Sequence, residues 1–304
     1  MLRPLLVKAS QSEALARQVT GRAFTRRMAM RFVAGEGLDD GLSAARRLAD
    51  EGKLVSLDYV GEHAGTEAAA RNASKVYLEM VDRIGAEGLP AGLSLKPTQL
   101  GLSVSRDLCE ELIDEIATAS AAVDAHITLD MEESRVTEDT VRLVELLQER
   151  GQRHVGCAVQ SYLHRTRADV RRLSGVGASL RLCKGAYSEP PYVAYESQRD
   201  VDASWADCAE YLIEHGAYPR LATHDHRLVA KAKADVARRG RNRDDFEFQM
   251  LYGVRADMQD ALVRDGYRLC VYVPFGSNWF AYFMRRIAER PANLVFFLRA
   301  LGNK

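Results

Sequence analysis

Eight short apolar runs alternate with longer amphipathic segments along most of the chain, and this alternation constrains the fold more than any other feature. Each run is short enough for one strand, and the segment after it has apolar residues at helical spacing. Strands that alternate with helices are typical of a parallel sheet, and continuous apolar strands indicate burial on both faces. The runs are Leu54–Asp58, Gly92–Lys96, His126–Asp130, His154–Gln160, Ser179–Lys184, Pro219–His224, Phe246–Leu251 and Arg268–Tyr272.

The number of these units predicts the fold class. Eight strand–helix units in about 220 residues match an α/β fold of the (β/α)8 TIM-like barrel type, which typically takes about 250 residues. The competing fold is a doubly wound nucleotide-binding sheet, which needs a glycine-rich turn between a strand and a helix. The nearest match, Gly175-Val-Gly177-Ala-Ser-Leu, precedes a strand and lacks the third glycine. We therefore expect one barrel domain over residues 1–304, in which 1–52 forms extra N-terminal helices and 54–304 forms the barrel and a terminal helix.

Charge and cysteine usage narrow the class of protein. Lys+Arg and Asp+Glu are both 42, so bulk electrostatics do not favour a nucleic-acid partner. Residues 1–31 are basic, which is typical of a packed basic helix or of peripheral contact with the inner face of a membrane. Five cysteines without a C-x-x-C pair indicate a reducing compartment, and no apolar run is long enough to span a bilayer. These features predict a cytoplasmic protein.

One amphipathic segment shows how a helix start is predicted. Val141, Val144 and Leu147 recur at helical spacing. Thr137 precedes them and is the expected N-cap, with acidic residues in the first turn at 138 and 139. We expect the helix to begin there.

Polar residues end, or nearly end, all eight apolar runs. Because barrel active sites lie at the C-terminal ends of the strands, we expect these side chains to meet at one mouth. Arg181 and Lys184 lie three apart on one strand, so regular pleating points them to opposite faces. The Gly185-Ala186 that follows lets the backbone approach a ligand closely. The strand-end residues are Asp58, Lys96, Asp130, Gln160, Lys184, His224, Gln249 and Tyr272.

A second cluster of charge lies on the predicted terminal helix. Tyr282, Arg285, Arg286 and Glu289 fall at i, i+3, i+4 and i+7 and therefore share one face. The two guanidiniums would bind the carboxylate of a small zwitterion. The alternative is a solvated face with an Arg285/Glu289 pair. The residues expected to anchor the helix are Phe280, Phe283, Met284 and Ile287.

Three other chemistries are open at the mouth. His224-Asp225-His226 has metal-ligand spacing, but no other histidine ends a strand, so we expect no metal. Lys96 or Lys184 fits the Schiff-base lysine of an aldolase-type barrel, which requires a depressed pKa. A Ser/His/Asp hydrolase lacks a nucleophile-elbow sequence.

Taken together, the strand-end motifs resemble those of one family, the proline dehydrogenases, and of its monofunctional bacterial members in particular. They occur in the family's order from about residue 27 to the end, and the ordered set is more specific than any one motif. They are Leu54-Val-Ser-Leu-Asp58-Tyr-Val-Gly-Glu62, Ser94-Leu-Lys96-Pro-Thr-Gln, Leu129-Asp130-Met131-Glu132-Glu133, Ala158-Val-Gln160-Ser-Tyr162, Leu180-Arg181-Leu-Cys-Lys184-Gly185-Ala186-Tyr187, Ala222-Thr223-His224-Asp225, Glu247-Phe-Gln249-Met-Leu251-Tyr-Gly253, Tyr272-Val-Pro-Phe-Gly276 and Tyr282…Arg285-Arg286…Glu289-Arg290.

The resemblance implies FAD across the mouth of the barrel, without a Rossmann domain. It implies oxidation of L-proline to Δ1-pyrroline-5-carboxylate by hydride transfer to flavin N5, the first step of proline breakdown to glutamate, with electrons passed to a quinone. Hydroxyproline or a related imino acid is the alternative substrate. The cofactor-binding residues it implies are Met131, Gln160, Arg181, Lys184, Gly185, Ala186, Thr223 and His224.

The resemblance also implies roles around the substrate. Asp130 and Arg181 are the catalytic residues, with Arg181 donating to flavin N5 and therefore turned into the barrel. Cys183, a valine in many relatives, brings a thiol near the flavin. Glu62 and Glu289 form a gate, in which Glu62 bridges to an arginine of the terminal helix. The implied substrate-binding residues are Lys96, Arg285 and Arg286 for the carboxylate, and Tyr187, Leu251, Tyr272 and Tyr282 around the ring.

Overall fold

The computed structural model describes residues 23–61 and 63–289, with side chains from 25 to 61 and from 63 to 286. Eight parallel strands pair in chain order and close where β1 (Leu54–Tyr59) meets β8 (Leu269–Phe275), which confirms the predicted (β/α)8 barrel. The strands between them are β2 (Ala91–Leu95), β3 (Ile127–Leu129), β4 (Val155–Gln160), β5 (Leu180–Cys183), β6 (Arg220–Ala222) and β7 (Glu247–Leu251).

Helices separate all consecutive strands, and within the described residues two helices precede the first strand. Residues 1–22 of the predicted extension lie outside the described part. The helices are α1 (Ala23–Ala29), α2 (Leu38–Asp50), α3 (Glu67–Glu87), α4 (Arg106–Ala121), α5 (Ser134–Glu149), α6 (Thr166–Gly175), α7 (Gln198–His215), α8 (His226–Arg239), α9 (Ala256–Arg264) and α10 (Trp279–Glu289), with a short 3-10 turn at Arg243–Asp245.

The two faces of the sheet are both buried but differ in polarity. On the outer face Leu57, Leu93, Ile127 and Val155 lie side by side in register beneath the helices. The inner face carries polar side chains instead, such as the hydroxyl of Ser56. Successive residues alternate between the faces because side chains of a strand alternate. The apolar runs therefore supply one face of the wall, and a polar interior remains for chemistry.

The helix before the first strand completes the outer wall. α2 packs on β1 and β8, across the line where the barrel closes. Its Gly41 lies against Phe275 so closely that a Cβ there would be 2.8 Å from the ring. In a (β/α)8 barrel this position normally belongs to the helix that follows the eighth strand. α10 is thereby free to take another position.

α10 covers the C-terminal mouth and packs on α1. Trp279, Phe280, Phe283 and Met284 are buried in a small apolar cluster with residues of the α1 region, such as Val33. This confirms the anchoring face predicted for three of the four residues, and the side chain of Ile287 lies outside the described part. The opposite face of α10 lies over the mouth.

The predicted start of α5 is wrong by one turn. The helix begins at Ser134 rather than after Thr137. Glu189, from the loop between β5 and α7, accepts hydrogen bonds from the backbone N–H of Ser134 at 2.7 Å and from its hydroxyl at 2.6 Å. A carboxylate at a helix N-terminus satisfies donors that would otherwise lack partners. The capping group comes from a distant segment, so local sequence could not reveal it.

Candidate active site

Arg181 lies inside the barrel, where side chains of β1, β2 and β7 and of the residue after β3 bind its guanidinium. Nε donates to Gln249 Oε1 at 2.6 Å, Nη1 to Ser94 Oγ and Asp130 Oδ1 at 2.7 Å each, and Nη2 to Ser56 Oγ at 3.0 Å. A guanidinium has five N–H groups. The second N–H of Nη2 thus has no partner among the described residues. The expected inward turn needs no departure from regular pleating.

Two cations, Lys96 and Arg181, alternate with the carboxylates of Asp58 and Asp130. Lys96 Nζ forms a short ion pair with Asp58 and lies 3.4 Å from Asp130 Oδ2. Tyr272 donates its hydroxyl proton to the same Oδ2 of Asp130 at 2.7 Å, and the Arg181 guanidinium lies 5.2 Å from the centre of the Tyr272 ring. Lys96, Asp130, Arg181 and Tyr272 were predicted to share a mouth, and the structure brings them together.

Asp58 is the least solvated member of this group. It is fully buried, and burial raises the pKa of its carboxyl group, against the opposing effect of Lys96 and with a contribution from Asp130. Oδ2 of Asp58 accepts no hydrogen bond from the described residues. Burial likewise raises the pKa of Tyr272 well above its ordinary value, so its hydroxyl is protonated and donates. Asp58 therefore has an unused acceptor atom beside the cavity.

A cavity of about 200 Å³ separates this network from the terminal helix. Tyr282 and Arg285 of α10 line it together with Lys96 and Asp58. The guanidinium of Arg285 also lies 5.7 Å from the centre of the Tyr187 ring, and that of Arg286 lies 5.2 Å from the centre of the Tyr282 ring. The charged stripe of α10 thus faces the mouth rather than bulk solvent. Arg286 is half-buried but is absent from the cavity lining.

Among the predicted cofactor residues, one group sits at the rim between β5 and β6. Lys184 points away from Arg181, as its position on the strand predicted, and its Nζ lies 2.6 Å from Asp202 and 3.3 Å from Asp225. Gly185 has φ +108°, and a Cβ there would lie 2.1 Å from the Tyr162 ring. Only glycine fits this position. Ala186 follows and is half-buried.

The remaining predicted cofactor residues follow β3, β4 and β6. Met131 and Gln160 are buried, and the Gln160 amide donates to the Glu132 carbonyl at 2.9 Å. Thr223 accepts a hydrogen bond from the Asp225 N–H at 3.1 Å. The Leu251 N–H donates to His224 Nε2 at 2.9 Å.

The bond from Leu251 also fixes the form of the His224 ring. A backbone N–H can only donate, so Nε2 of His224 is an unprotonated acceptor and Nδ1 carries the ring proton. That arrangement leaves His224 with its Nδ1–H as a donor.

In the described part of the chain, no group of three His, Cys, Asp or Glu side chains is arranged to hold a metal ion.

The side chains of the two predicted gate residues lie outside the described part of the chain. Glu62 lies outside the described residues, and Glu289 is the last residue of α10, with a side chain outside them. The bridge from Glu62 to Arg285 therefore stays a prediction.

Several residues of the site were not assigned from the sequence. Asp58 was noted only as a strand end, although the spacing Asp58…Lys96…Asp130 at three consecutive strand ends was a usable signal. The serines and amides that bind Arg181 occupy inward positions in apolar runs, and only the register of the strands reveals them. The residues missed are Asp58, Ser56, Ser94, Gln249 and Asn278.

A closed (β/α)8 barrel with buried cations and carboxylates at its C-terminal mouth, beneath a cationic helix, defines a barrel enzyme for a small anionic or zwitterionic substrate. Residues 41–299 match the family model described as proline dehydrogenase. The chain belongs to the proline dehydrogenase family.

Individual relatives agree with this assignment. The chain is 36% identical over 304 residues to proline dehydrogenase 1 of Bacillus subtilis (strain 168), covering 100% of both chains. It is 35% identical over 295 residues to proline dehydrogenase of Deinococcus radiodurans, covering 96% of this chain and 94% of that one. Among solved structures, proline utilization A of Bdellovibrio bacteriovorus, inactivated by N-propargylglycine, matches with a TM-score of 0.81 at 24% identity. That match covers 86% of this chain and 32% of the larger protein, and it supports the fold.

No helix within the described residues combines the length and the apolar character that a membrane crossing requires.

Proposed function

We propose that the chain oxidises L-proline to Δ1-pyrroline-5-carboxylate and uses bound FAD as the immediate electron acceptor. When bound, FAD accepts at N5 the hydride that leaves the proline ring. Family membership supports proline as the substrate. The observation that supports a flavin cofactor is the environment of Arg181, a buried cation with one N–H unused among the described residues. A cation there stabilises the negative charge that a flavin gains on reduction.

The donors around the mouth suit this cofactor. Arg181 and Lys184 supply two cations for electron-rich and phosphate groups, and Thr223 and His224 add neutral polar side chains just after β6. Gly185 follows Lys184 and packs directly against the Tyr162 ring. We assign to FAD the residues Met131, Gln160, Arg181, Lys184, Gly185, Ala186, Thr223 and His224.

The cavity under α10 suits a small zwitterion. At about 200 Å³ it is smaller than the roughly 300–1,000 Å³ of drug-sized pockets. Lys96 and Arg285 line it and would bind the carboxylate, with Arg286 as a third cation next to Tyr282. We assign the walls of the ring site to Tyr187, Leu251, Tyr272 and Tyr282.

The reaction also needs a proton acceptor. The proline ring nitrogen enters as NH2⁺ and must lose one proton, so that the C–H bond electrons can leave as hydride while a C=N bond forms. We assign this proton to Asp58 Oδ2, which lines the cavity and has no partner among the described residues. Its raised pKa makes the deprotonated carboxylate a stronger proton acceptor than an ordinary aspartate. Asp130 keeps Arg181, Lys96 and Tyr272 in place.

The ion pairs of the two lysines argue against an aldolase-type reaction. A Schiff-base lysine must be neutral to attack a carbonyl. Lys96 is paired with Asp58 and Asp130, and Lys184 with Asp202 and Asp225. Carboxylates therefore occupy the surroundings of both side-chain nitrogens.

We assign a quinone as the final electron acceptor, reached by peripheral contact with a membrane. The β5–α7 loop that carries Tyr187 also exposes Tyr192 at 84%. Exposed tyrosines are typical of surfaces that meet the membrane–water interface. Quinone reduction with and without lipid vesicles tests this assignment.

Spectroscopy of the purified protein tests the proposed function directly. We expect the absorbance of an oxidised flavin, and its bleaching when L-proline is added without oxygen. Hydroxyproline, added in parallel, tests the alternative substrate. A colourless protein, or a flavin that L-proline does not reduce, would refute the proposal.

A further inference from the structure

A chain of buried hydrogen bonds runs from Arg181 along the interior of the barrel, away from the mouth. Arg181 Nε donates to Gln249 Oε1 at 2.6 Å, and Gln249 Nε2 donates to Glu247 Oε1 at 2.5 Å. The Tyr218 hydroxyl donates to Glu247 Oε2 at 3.1 Å. Arg181, Gln249 and Glu247 are each at most 5% exposed. Water therefore does not compete for these bonds.

Chemistry fixes the direction of every bond in this chain. A guanidinium has donors and no acceptor, so the side-chain oxygen of Gln249 must face Arg181. Its NH2 group then faces Glu247, which accepts from both Gln249 and Tyr218. The opposite amide orientation would set NH2 against an N–H of Arg181. Arg220, with Nε 3.7 Å from Glu247 Oε1, offsets the negative charge at this end.

Gln249 has a special place among the partners of Arg181. It alone binds Nε, whereas Ser94, Asp130 and Ser56 bind the two terminal nitrogens. Contacts at all three nitrogens fix the plane of a guanidinium, and that plane sets the direction of the remaining Nη2–H. Loss of the Nε contact leaves the guanidinium held only through its two terminal nitrogens, so the angle of its plane about the Cδ–Nε bond is less tightly fixed.

We propose that Gln249, oriented by Glu247, is a positioning residue that fixes the guanidinium plane of Arg181 and thereby aims its remaining N–H at the flavin. This inference rests on the proposed flavin site. The competing interpretation is that Gln249 only fills the interior of the barrel.

Two variants of Gln249 and one matched control separate these interpretations. Gln249→Met keeps the approximate volume and removes both the acceptor and the donor. Gln249→Glu combined with Glu247→Gln exchanges the two side-chain groups, so an acceptor oxygen faces Arg181 Nε and a donor–acceptor contact between positions 247 and 249 is kept. The control is Gln148→Met in α5, where the buried Gln148 amide donates to the Val155 carbonyl at 2.5 Å. For each protein we measure FAD content, the midpoint reduction potential of the flavin, and kcat and KM for L-proline.

We expect Gln249→Met to retain FAD and to lose about ten-fold or more in kcat, with KM within about two-fold. Its flavin potential should shift to more negative values, because a loosely held Arg181 stabilises the reduced flavin less. The double variant Gln249→Glu/Glu247→Gln should recover most of the lost kcat. Gln148→Met should keep the unmodified kcat and potential.

A Gln249→Met protein with the kcat and potential of Gln148→Met would overturn the inference, and so would equal losses in Gln249→Met and in the double variant Gln249→Glu/Glu247→Gln. If Gln249→Met does not fold, Gln249→Asn decides between the same outcomes, since it withdraws the acceptor by one methylene. Failure of the proposed function looks different: the unmodified protein itself would lack FAD or would not be reduced by L-proline.

Discussion

At the scale of single residues, the site depends on charges that compensate one another away from water. Lys96 and Arg181 each contact Asp130, and Lys96 also contacts Asp58. Removing one partner of a buried pair leaves the other charge uncompensated, which typically costs several kcal/mol. Substitutions in this cluster therefore change both binding and stability. The arginines of α10 lie outside this ion-pair cluster and offer cleaner tests.

Arg286→Ala should lower kcat/KM for L-proline by about ten- to a hundred-fold, because a charge-assisted hydrogen bond to the carboxylate would be lost. Steady-state kinetics with the purified variant checks this. Arg264→Ala, which removes an exposed arginine from α9, is the control and should leave kcat/KM unchanged. A near-normal kcat/KM in Arg286→Ala would show that this side chain does not bind the substrate carboxylate.

Asp58→Asn should remove a pH-dependent step. Asp58 must be deprotonated to accept a proton, so kcat/KM of the unmodified protein should rise with pH through the raised pKa of this group. In the variant that rise should disappear, and kcat should fall by about a hundred-fold. The measurement is a pH profile of kcat/KM.

The control for Asp58 is Asp260→Asn, which breaks an ion pair of 2.8 Å with buried Lys53, outside the mouth. It should keep the unmodified profile. An unchanged rise in Asp58→Asn would assign the proton to another group.

Sequence revealed the charged residues of the site better than its neutral ones. Lys96, Asp130 and Arg285 stood out because charges are unusual next to apolar runs. Ser56 and Ser94 did not, since a small polar residue within a strand has no distinctive pattern, and Gln249 stood out only as a polar residue near a strand end. Their importance arises from contacts across the barrel, between strands far apart in the chain.

At the scale of elements, the close approach of α2 to β8 depends on a missing side chain. A Cβ on Gly41 would lie 2.8 Å from the buried Phe275 ring, whereas a Cβ on Gly175, at the end of α6, would meet nothing within 4 Å. Gly41→Ala should therefore lower the free energy of unfolding by about 1–3 kcal/mol. Gly175→Ala should leave it unchanged or raise it by about 0.4–1 kcal/mol. Denaturant unfolding of both variants checks this, and equal stabilities would contradict the close packing.

Helices α5 and α6 are joined by a charge network centred on Glu138. Its carboxylate accepts from Arg165 at 2.5 Å, Arg142 at 3.0 Å and Arg172 at 3.1 Å. Arg165 and then Arg172 lower the pKa of Glu138 from 4.5 to about 2. Its stabilising contribution is therefore complete above pH 4.5 and is lost as pH falls toward 2.

Glu138→Gln should destabilise the protein at pH 7 by about 0.5–1 kcal/mol, a small value because solvent screens the half-exposed network. The difference from the unmodified protein should shrink as pH falls from 4.5 toward 2. Urea unfolding at several pH values measures it. Glu115→Gln, at an exposed position of α4, serves as the control. A pH-independent difference would contradict the ion-pair origin.

Element types were predictable where their cause is local. The eight strands and the apolar anchor of α10 follow from periodicity, which each segment carries by itself. The start of α5 was not predictable, because its N-terminal N–H is satisfied by Glu189 from the β5–α7 loop. The role of α2 was also hidden, since nothing in its sequence indicates which pair of strands it covers.

At the scale of the whole molecule, the packing of the helices on the barrel buries four of the five cysteines and half-buries Cys183. Burial raises the pKa of Cys109 and of Cys183 to about 12 and that of Cys208 to about 11, and it also raises those of Cys157 and Cys270. Iodoacetamide at pH 8 should therefore label none of the five cysteines in the native protein and all five in urea. Intact-mass analysis distinguishes these states. Rapid native labelling of Cys183 would restore the idea of a reactive thiol near the flavin.

The barrel as a whole was predictable because eight repeats of one local pattern leave few ways to bury their apolar faces. The position of α10 over the mouth was not predictable, because it depends on α2 occupying the outer position between β1 and β8.

That division of labour between α2 and α10 has a practical corollary for engineering. Because α2 already closes the outer wall between β1 and β8, randomising the cavity-facing positions of residues 278–286 leaves the packing of the barrel wall unchanged. A combinatorial library restricted to these positions of α10 is therefore a direct route to enzymes that accept bulkier or differently charged cyclic amines.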